Sequence, residues 1–482
     1  MKYPIVKNII NGKTEQYQGE LLDVYSPING EIISQVNMSG KDAIDEAVKT
    51  ASAAFEEWSQ KTLKERVQVF FKYKQLLEEN MDELSELIQE ENGKTFGEAK
   101  AEIEKSIEVT EFACSLPQIA SGEIQEVSRG VECRINRAPL GVVASITPFN
   151  FPSMVPNWTI PNAIALGNAM ILKPSEQVPL SANRLAELLH DAGLPDGVLN
   201  IVHGGQEAVE AICDHPGIEA ITFVGSTKVA KIVYQRGAAS LKRMLALGGA
   251  KNHLIVLPDA HPEMAASNIA ASMSGCAGQR CMAASAMVAV GESDHIIEKL
   301  CAEAKNIIPG ENLGSVISQA AKERIEGYIS EAEEQGAEIL VDGRGADVHG
   351  KGYYVGPTVI DHVTPDMKIA SEEVFGPVLA IMRTDTIDEA LAIENSSAYG
   401  NAASVFTQSG KMADYVAENA SAGMIGVNIG VPVPREPFSF GGWNESKFGS
   451  GDITGTSSID FWTKLKKTTT KWNPESKVNW MS

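Results

Sequence analysis

Short apolar runs alternate with segments of helical spacing through the middle of the chain. The apolar runs are 141–146, 169–172, 198–202 and 220–224; helical patterns include 180–192, stopped by Gly193, and 227–238. Continuous apolar strands spaced by helices predict a parallel sheet covered on both faces. A second such unit opens at 252–257, passes a helix from Pro262 and alternates onward to 423–428. Upstream of both, after an irregular start, Ile44, Ala47, Val48, Ala51, Phe55 and Trp58 share one helical face. Ser39, with Asp42 three residues on, reads as the N-cap of that helix. Helical pattern then continues with little interruption to about Leu116, its Lys- and Glu-rich positions reading as solvated faces.

A period of two marks 123–137, where Val131, Cys133 and Ile135 alternate with Glu132, Arg134 and Asn136. A similar polar, β-prone stretch covers 459–472. Long edge strands invite pairing with another chain, so the two stretches predict an assembly surface, with pairing inside the chain as the alternative.

In parallel α/β sheets, ligands bind beyond the carboxyl ends of the strands. After the first strand, Thr147, Pro148, Phe149, Asn150, Phe151 and Pro152 form a proline-locked turn that presents Asn150. A side-chain amide there can donate to an oxygen that becomes negative during catalysis. After the second strand come Lys173, Pro174, Ser175 and Glu176. Glu176 can accept from ribose hydroxyls, and its charge repels a 2′-phosphate, which favours NAD over NADP. After the fourth, Gly225 and Ser226 open a helix whose N-terminus can hold phosphate. The usual glycine-rich dinucleotide fingerprint is missing. The remaining motif is 274–283, with Cys281 at its working end and Ser274, Gly275, Ala277 and Gly278 small enough for close backbone approach. Arg280 beside the thiol favours a thiolate, a strong nucleophile towards a carbonyl carbon. The alternative is an inert buried cysteine.

Composition narrows the function. At 482 residues the chain suggests about three domains. A net charge of -22 argues against nucleic-acid or anionic-membrane partners, and an anionic substrate would need local cations set against that field. The six cysteines are scattered and contain no CxxC, which points to a reducing, cytoplasmic setting without disulfides or a metal site. Residues 1–13 lack the apolar core of a signal peptide, and no apolar run approaches the roughly 20 residues of a membrane span.

Taken in order, 147–152, 173–176, 223–227, 278–281 and 373–377 (Glu-Val-Phe-Gly-Pro) resemble the motifs of the aldehyde dehydrogenase superfamily over almost the whole chain. Gly278–Ala283 with 249–253 (Gly-Ala-Lys-Asn-His) is more similar to the CoA-acylating methylmalonate-semialdehyde branch. The resemblance implies an α/β fold with two doubly wound parallel-sheet domains and a β oligomerisation flap. It implies a cofactor domain at 1–117 and 139–247, a catalytic domain at 248–430, and bridging segments at 118–138 and 431–482 that build homodimers or homotetramers. It also implies roles. Cys281 forms a thiohemiacetal and then a thioester, with Asn150 and the Cys281 amide holding the oxyanion. Thr147, Phe149, Lys173, Ser175, Glu176, Gly225 and Ser226 hold NAD, with Glu373 and Phe375 at the nicotinamide end.

Two departures from the family pattern bear on function. Most members carry a Glu before Gly-Gly-Lys that activates water to hydrolyse the thioester. Here Leu247 or, in the other register, Ala246 stands there, and no Asp or Glu occurs between Ala220 and Pro258. Losing a general base costs about 10²–10⁴-fold, whereas a thiol needs less help, so coenzyme A is the natural acyl acceptor. The branch also implies an Arg that grips a substrate carboxylate, and Lys105 takes its place without the bidentate fork. Arg280 and Arg435 are the other candidate cations. The expected activity is NAD-dependent oxidation of malonate or methylmalonate semialdehyde to acetyl-CoA or propionyl-CoA. The alternatives are a hydrolytic dehydrogenase of a related, even sulfonated, aldehyde and a non-catalytic NAD-binding protein.

Overall fold

The computed structural model describes residues 1–348 and 350–472. Its first sheet has eight strands, in the order Lys13–Glu15, Asn8–Ile10, Leu199–Ile201, Ala169–Lys173, Val142–Ile146, Ile218–Val224, Arg243–Leu247 and Lys447–Gly449. The five strands from Leu199–Ile201 to Arg243–Leu247 run parallel, and the edges are antiparallel. Later strands add on either side of Val142–Ile146, so the strand order reverses beside the loop that follows it, where such sheets bind ligands. The second sheet has seven strands, and every pairing except that of Glu338–Val341 is parallel. Both sheets sit where the apolar runs predict them. The strand Lys447–Gly449 shows that the 431–482 segment enters the first sheet; 473–482 of that segment lie outside the described residues.

The N-terminal region differs from the expectation. The irregular start contains four short strands, including Leu21–Tyr25 and Ile32–Asn37. Asn8–Ile10 is held by partners remote in sequence, with Ile9 opposite Ile201 and Asn11 N–H donating to Asn200 Oδ1 at 3.0 Å. The helical run to Leu116 is four helices: Lys41–Trp58, Leu63–Glu79, Met81–Asn92 and Phe96–Ile119. Capping boxes at Thr62 with Glu65 and Thr95 with Glu98 begin two of them, and Gly93 at φ 89° ends another. Gly40 is the N-cap of the first helix and makes no side-chain cap bond. The Ser39 hydroxyl is instead engaged by Asn8 Nδ2 at 2.8 Å.

The two β-prone stretches pair with each other. Thr463–Lys471 runs antiparallel to Val131–Pro139, which also pairs with Glu123–Ser128. Intrachain pairing therefore occupies both sides of the middle strand and, among the described residues, leaves the outer edges of the three-stranded sheet unpaired, with Ile124, Val127 and Leu465 exposed. The first residues of the 459–472 stretch are helical instead, in Gly455–Phe461. Burial of Ile459, Phe461 and Trp462 overrides the strand pattern there, and Asn162 Nδ2 donates to Ser458 Oγ at 3.2 Å. Among the described residues no helix is long and apolar enough to cross a membrane.

Candidate active site

Cys281 follows a tight 3-10 turn, Gly275–Gly278, in which Cys276 and Ala277 adopt φ 52° and Gly278 φ 70°. A Cβ at Gly278 would lie 2.0 Å from the Gly376 carbonyl oxygen, so only glycine lets this loop abut the one following Glu373. The Cys281 carbonyl accepts from Asn252 Nδ2 and Asn401 Nδ2, each at 2.8 Å. Asn252 opens one strand of the second sheet, Asn252–Val256, and Asn401 immediately precedes another, Ala402–Phe406, so two rigid elements clamp the Cys281 backbone. Neither was given a role in the sequence, although Asn252 lies within the 249–253 motif. The available signal was a polar residue opening an apolar strand, which by itself is common.

From the first sheet, Asn150 donates one amide N–H to the Gln279 carbonyl at 2.9 Å, leaving the second for an oxyanion. The turn that presents Asn150 rests on a buried ion pair absent from the sequence reading. Lys94 Nζ lies 2.6 Å from Glu102 Oε2, with side chains 1% and 0% exposed. Lys94 also donates to the Asn150 carbonyl at 2.8 Å and sits 4.2 Å from the Phe151 ring centroid. Glu102 Oε1 accepts from the N–H groups of Ser153 and Met154 at 2.7 and 3.0 Å. Glu98, on the same helix, accepts from the Cys276 N–H. In sequence these residues blend into the Lys- and Glu-rich surface pattern; only packing distinguishes them.

The cofactor candidates divide between the two sheets. Lys173 Nζ donates to the Gly204 carbonyl at 2.9 Å and lies 3.3 Å from Glu176 Oε2, while Ser175 Oγ accepts from Gln177 N–H. The Thr147 N–H reaches the Lys173 carbonyl at 3.1 Å, which brings these two loops side by side. Ser226 is the N-cap of Thr227–Ala239 but makes no side-chain cap bond, so its hydroxyl and the first helical amides stay open to an anion. A Cβ at Gly225 would meet the Phe223 ring at 2.6 Å. Phe149 and Phe375 meet edge to face at 6.0 Å, joining loops of the two sheets. Glu373 accepts from Ala250 N–H at 3.0 Å, and a Cβ at Gly249 would lie 2.4 Å from its Oε2. Open helix amides and a glycine-lined approach suit a dinucleotide.

On the other side, Cys281 lines a cavity of about 420 Å³ whose walls include Phe151, Trp158, Phe440 and all three candidate cations, Arg280, Lys105 and Arg435. Arg280 favours the Cys281 thiolate in the expected direction but is outweighed. Burial, followed by the nearby Glu373 carboxylate, pushes the thiol up to about 12. Arg280 and the N–H groups of Cys281 and Met282 pull it down less strongly. The guanidinium is turned away, its Nη2 donating to the Ala271 and Ser272 carbonyls at 2.8 and 3.0 Å.

Burial pushes the Glu373 carboxyl up to about 7, from 4.5, against the pull of Ala250 N–H and Lys251. Between these two values the folded chain holds a proton that the unfolded chain has lost, so Glu373 makes stability fall as pH rises through that window. Thermal melts from pH 4.5 to 7.5 are expected to show this fall, with Glu373→Gln flattening part of it. An identical slope in the variant would mean that the carboxyl does not titrate there.

The structure also chooses between Ala246 and Leu247. Successive residues of Arg243–Leu247 face opposite sides of the sheet. Ala246 joins the core of Ile146, Phe223 and Ala230, whereas Leu247 belongs to the core against which Phe151 and Cys281 pack. The residue on the Cys281 side is therefore leucine, with no proton acceptor.

A cysteine clamped between two parallel α/β units, with a cavity on one side and open helix amides on the first sheet, describes a thiol-dependent dehydrogenase. The chain belongs to the aldehyde dehydrogenase family, whose profile matches residues 14–468. It is 46% identical over 478 residues to malonate-semialdehyde dehydrogenase 2 of Bacillus thuringiensis subsp. konkukian, covering 97% of this chain and 98% of that one. A similarly named enzyme of Geobacillus kaustophilus is 45% identical, with 97% and 99% coverage. Among solved structures, methylmalonate-semialdehyde dehydrogenase DddC from Oceanimonas doudoroffii superposes with a TM-score of 0.96 at 41% identity, covering 98% of this chain and 99% of that one. A putative methylmalonate-semialdehyde dehydrogenase from Sinorhizobium meliloti, complexed with NAD, matches with the same score, identity and coverage.

Proposed function

We propose that the chain oxidises a short anionic aldehyde, malonate or methylmalonate semialdehyde, with NAD and releases the product as an acyl-CoA. The observation that carries the CoA step is Leu247, an aliphatic side chain on the face where a water-activating carboxylate would have to stand. Relatives named for malonate semialdehyde and structures named for methylmalonate semialdehyde support the substrate class.

Cys281 Sγ bonds the aldehyde carbon as its proton passes to water, and the carbonyl oxygen becomes negative. The free Asn150 N–H and the Cys281 amide hold that charge in a water-poor site, where fixed donors act most strongly. The hydrogen on the carbon leaves with its electron pair, for which bound NAD would supply the hydride acceptor. Lys173 and Glu176 would hold the adenosine ribose, Gly225 and Ser226 the phosphates, and Glu373 the nicotinamide ribose. Thr147, Phe149, Ser175 and Phe375 would line the path between. The CoA thiol then attacks the thioester, returning a proton to Cys281. Loss of the β-carboxylate as CO2, with a proton from water taken up at the carbon it leaves, makes the product acetyl-CoA or propionyl-CoA. Arg280, Lys105 and Arg435 would bind the substrate's acid group.

We assign 1–117 and 139–247 to the cofactor domain, 248–430 to the catalytic domain, and 118–138 with 431–482 to bridging. The free outer edges of the Glu123–Ser128 and Thr463–Lys471 sheet suit a homodimer or homotetramer. All six cysteines are free, in keeping with a cytoplasmic setting.

The test is NADH formation from malonate semialdehyde with and without CoA, with the acyl product identified by mass spectrometry. CoA-dependent turnover yielding acetyl-CoA is expected. Full-rate formation of free acid without CoA would mean that another group, Glu373 first, activates water.

A further inference from the structure

Two of the three candidate cations that line the substrate cavity are already paired with carboxylates. Lys105 Nζ lies 2.7 Å from Glu436 Oε2 and 3.3 Å from Glu108 Oε1, and Arg435 Nη1 lies 3.5 Å from Glu108 Oε2. The side groups Glu436, Lys105, Glu108 and Arg435 thus form a row of alternating sign. The pair at its inner end is the enclosed one: Glu436 is 6% exposed and Lys105 17%, against 80% for Arg435 at the outer end. Glu436 and Lys105 both line the cavity that Cys281 opens into. An acid group entering this cavity therefore meets a lysine already matched by an internal carboxylate.

We propose that Glu436 is a specificity-determining residue that occupies Lys105 as a substrate acid group would, so that an anionic aldehyde binds by displacing it. The proposal rests on the reading of the substrate as an anionic aldehyde. Displacement exchanges one carboxylate for another at the same ammonium, so much of the Coulombic gain from Lys105 cancels. What remains is the cost of moving a buried carboxylate off its partner, and every anionic substrate bears it. A neutral aldehyde leaves the pair intact. The glutamate therefore narrows the advantage that Lys105 gives an anion, and it selects for acids short enough to reach the lysine while their aldehyde carbon is at Cys281.

The experiment compares malonate semialdehyde with propanal, its uncharged three-carbon counterpart, at saturating NAD and CoA with the full-length enzyme. Wild type is expected to prefer malonate semialdehyde in kcat/KM. Glu436→Gln keeps the size and an oxygen that can accept from Lys105 but removes the competing charge. It is expected to raise the preference about three- to tenfold, through KM for the anion, with propanal unchanged. Glu436→Asp, drawn back by one methylene, is expected to move the ratio the same way. On a Lys105→Met background, Glu436→Gln is expected to add nothing, because the two act as one pair. A ratio that stays flat or falls in Glu436→Gln, while wild type still prefers the anion, overturns the proposal and leaves the function standing. A wild type with no preference for malonate semialdehyde overturns both.

Discussion

Replacing Cys281 with alanine is expected to lower NADH formation by about 10⁴-fold or more while leaving the fold and NAD affinity intact. The size of the effect follows from covalent chemistry: without sulfur there is no thiohemiacetal, and hydride has no route from the free aldehyde. The separation from folding follows from geometry. Asn252 and Asn401 hold the Cys281 carbonyl, and Gly278 packs on the Gly376 backbone, so the loop is positioned by main-chain contacts that alanine retains. Steady-state rates give the first readout; tryptophan quenching by NAD and a thermal melt give the second. Cys276 is the rival nucleophile, since it lines the same cavity. It is buried, and its N–H is tied to Glu98. A Cys281→Ala variant within tenfold of wild type would transfer the role to it.

Lys94→Met is expected to destabilise the chain by about 3–5 kcal/mol, because it strands the buried Glu102 carboxylate. That corresponds to a fall of roughly 5–10 °C in Tm. The same lysine supports the Asn150 carbonyl, and Glu102 receives the two N–H groups that open the following helix. Activity of the remaining folded enzyme is therefore expected to fall as well, because a loosened turn misplaces the Asn150 donor. Adding Glu102→Gln is expected to recover much of the stability. The amide removes the stranded charge, keeps an acceptor for Ser153 and Met154, and offers a donor to the Asn150 carbonyl. Denaturation curves of wild type, the two single variants and the double variant, analysed as a double-mutant cycle, measure the coupling. A single variant within about 1 kcal/mol of wild type would show that water or a rearranged Glu102 relieves the charge.

What was legible and what was not divide along one physical line. The parallel strands, the helices between them and the loops at the strand ends follow from local apolar runs and punctuation, which the chain carries residue by residue. Thr147–Pro152, 173–176 and the 278–281 loop were found because glycine, proline and reactive side chains at strand ends leave a local signature. The four-helix division upstream was also written locally, in the capping boxes at Thr62 and Thr95, but a periodicity reading passes over them.

The interactions that run across the chain could not be read that way. Lys94 with Glu102, Asn252 and Asn401 at Cys281, and Lys105 with Glu436 each look like ordinary surface or strand-end residues until two distant segments meet. Their meaning lies in burial and pairing, which a single sequence position does not encode. The thiol shows the same division. Arg280 is its sequence neighbour, yet enclosure and Glu373, 92 residues further on, outweigh it. By itself the sequence determined the sheets, pointed to Cys281 as the candidate nucleophile and showed that no Asp or Glu stands near Leu247. Only the tertiary structure decided which of Ala246 and Leu247 faces the cysteine, because facing is settled by strand parity within a packed sheet.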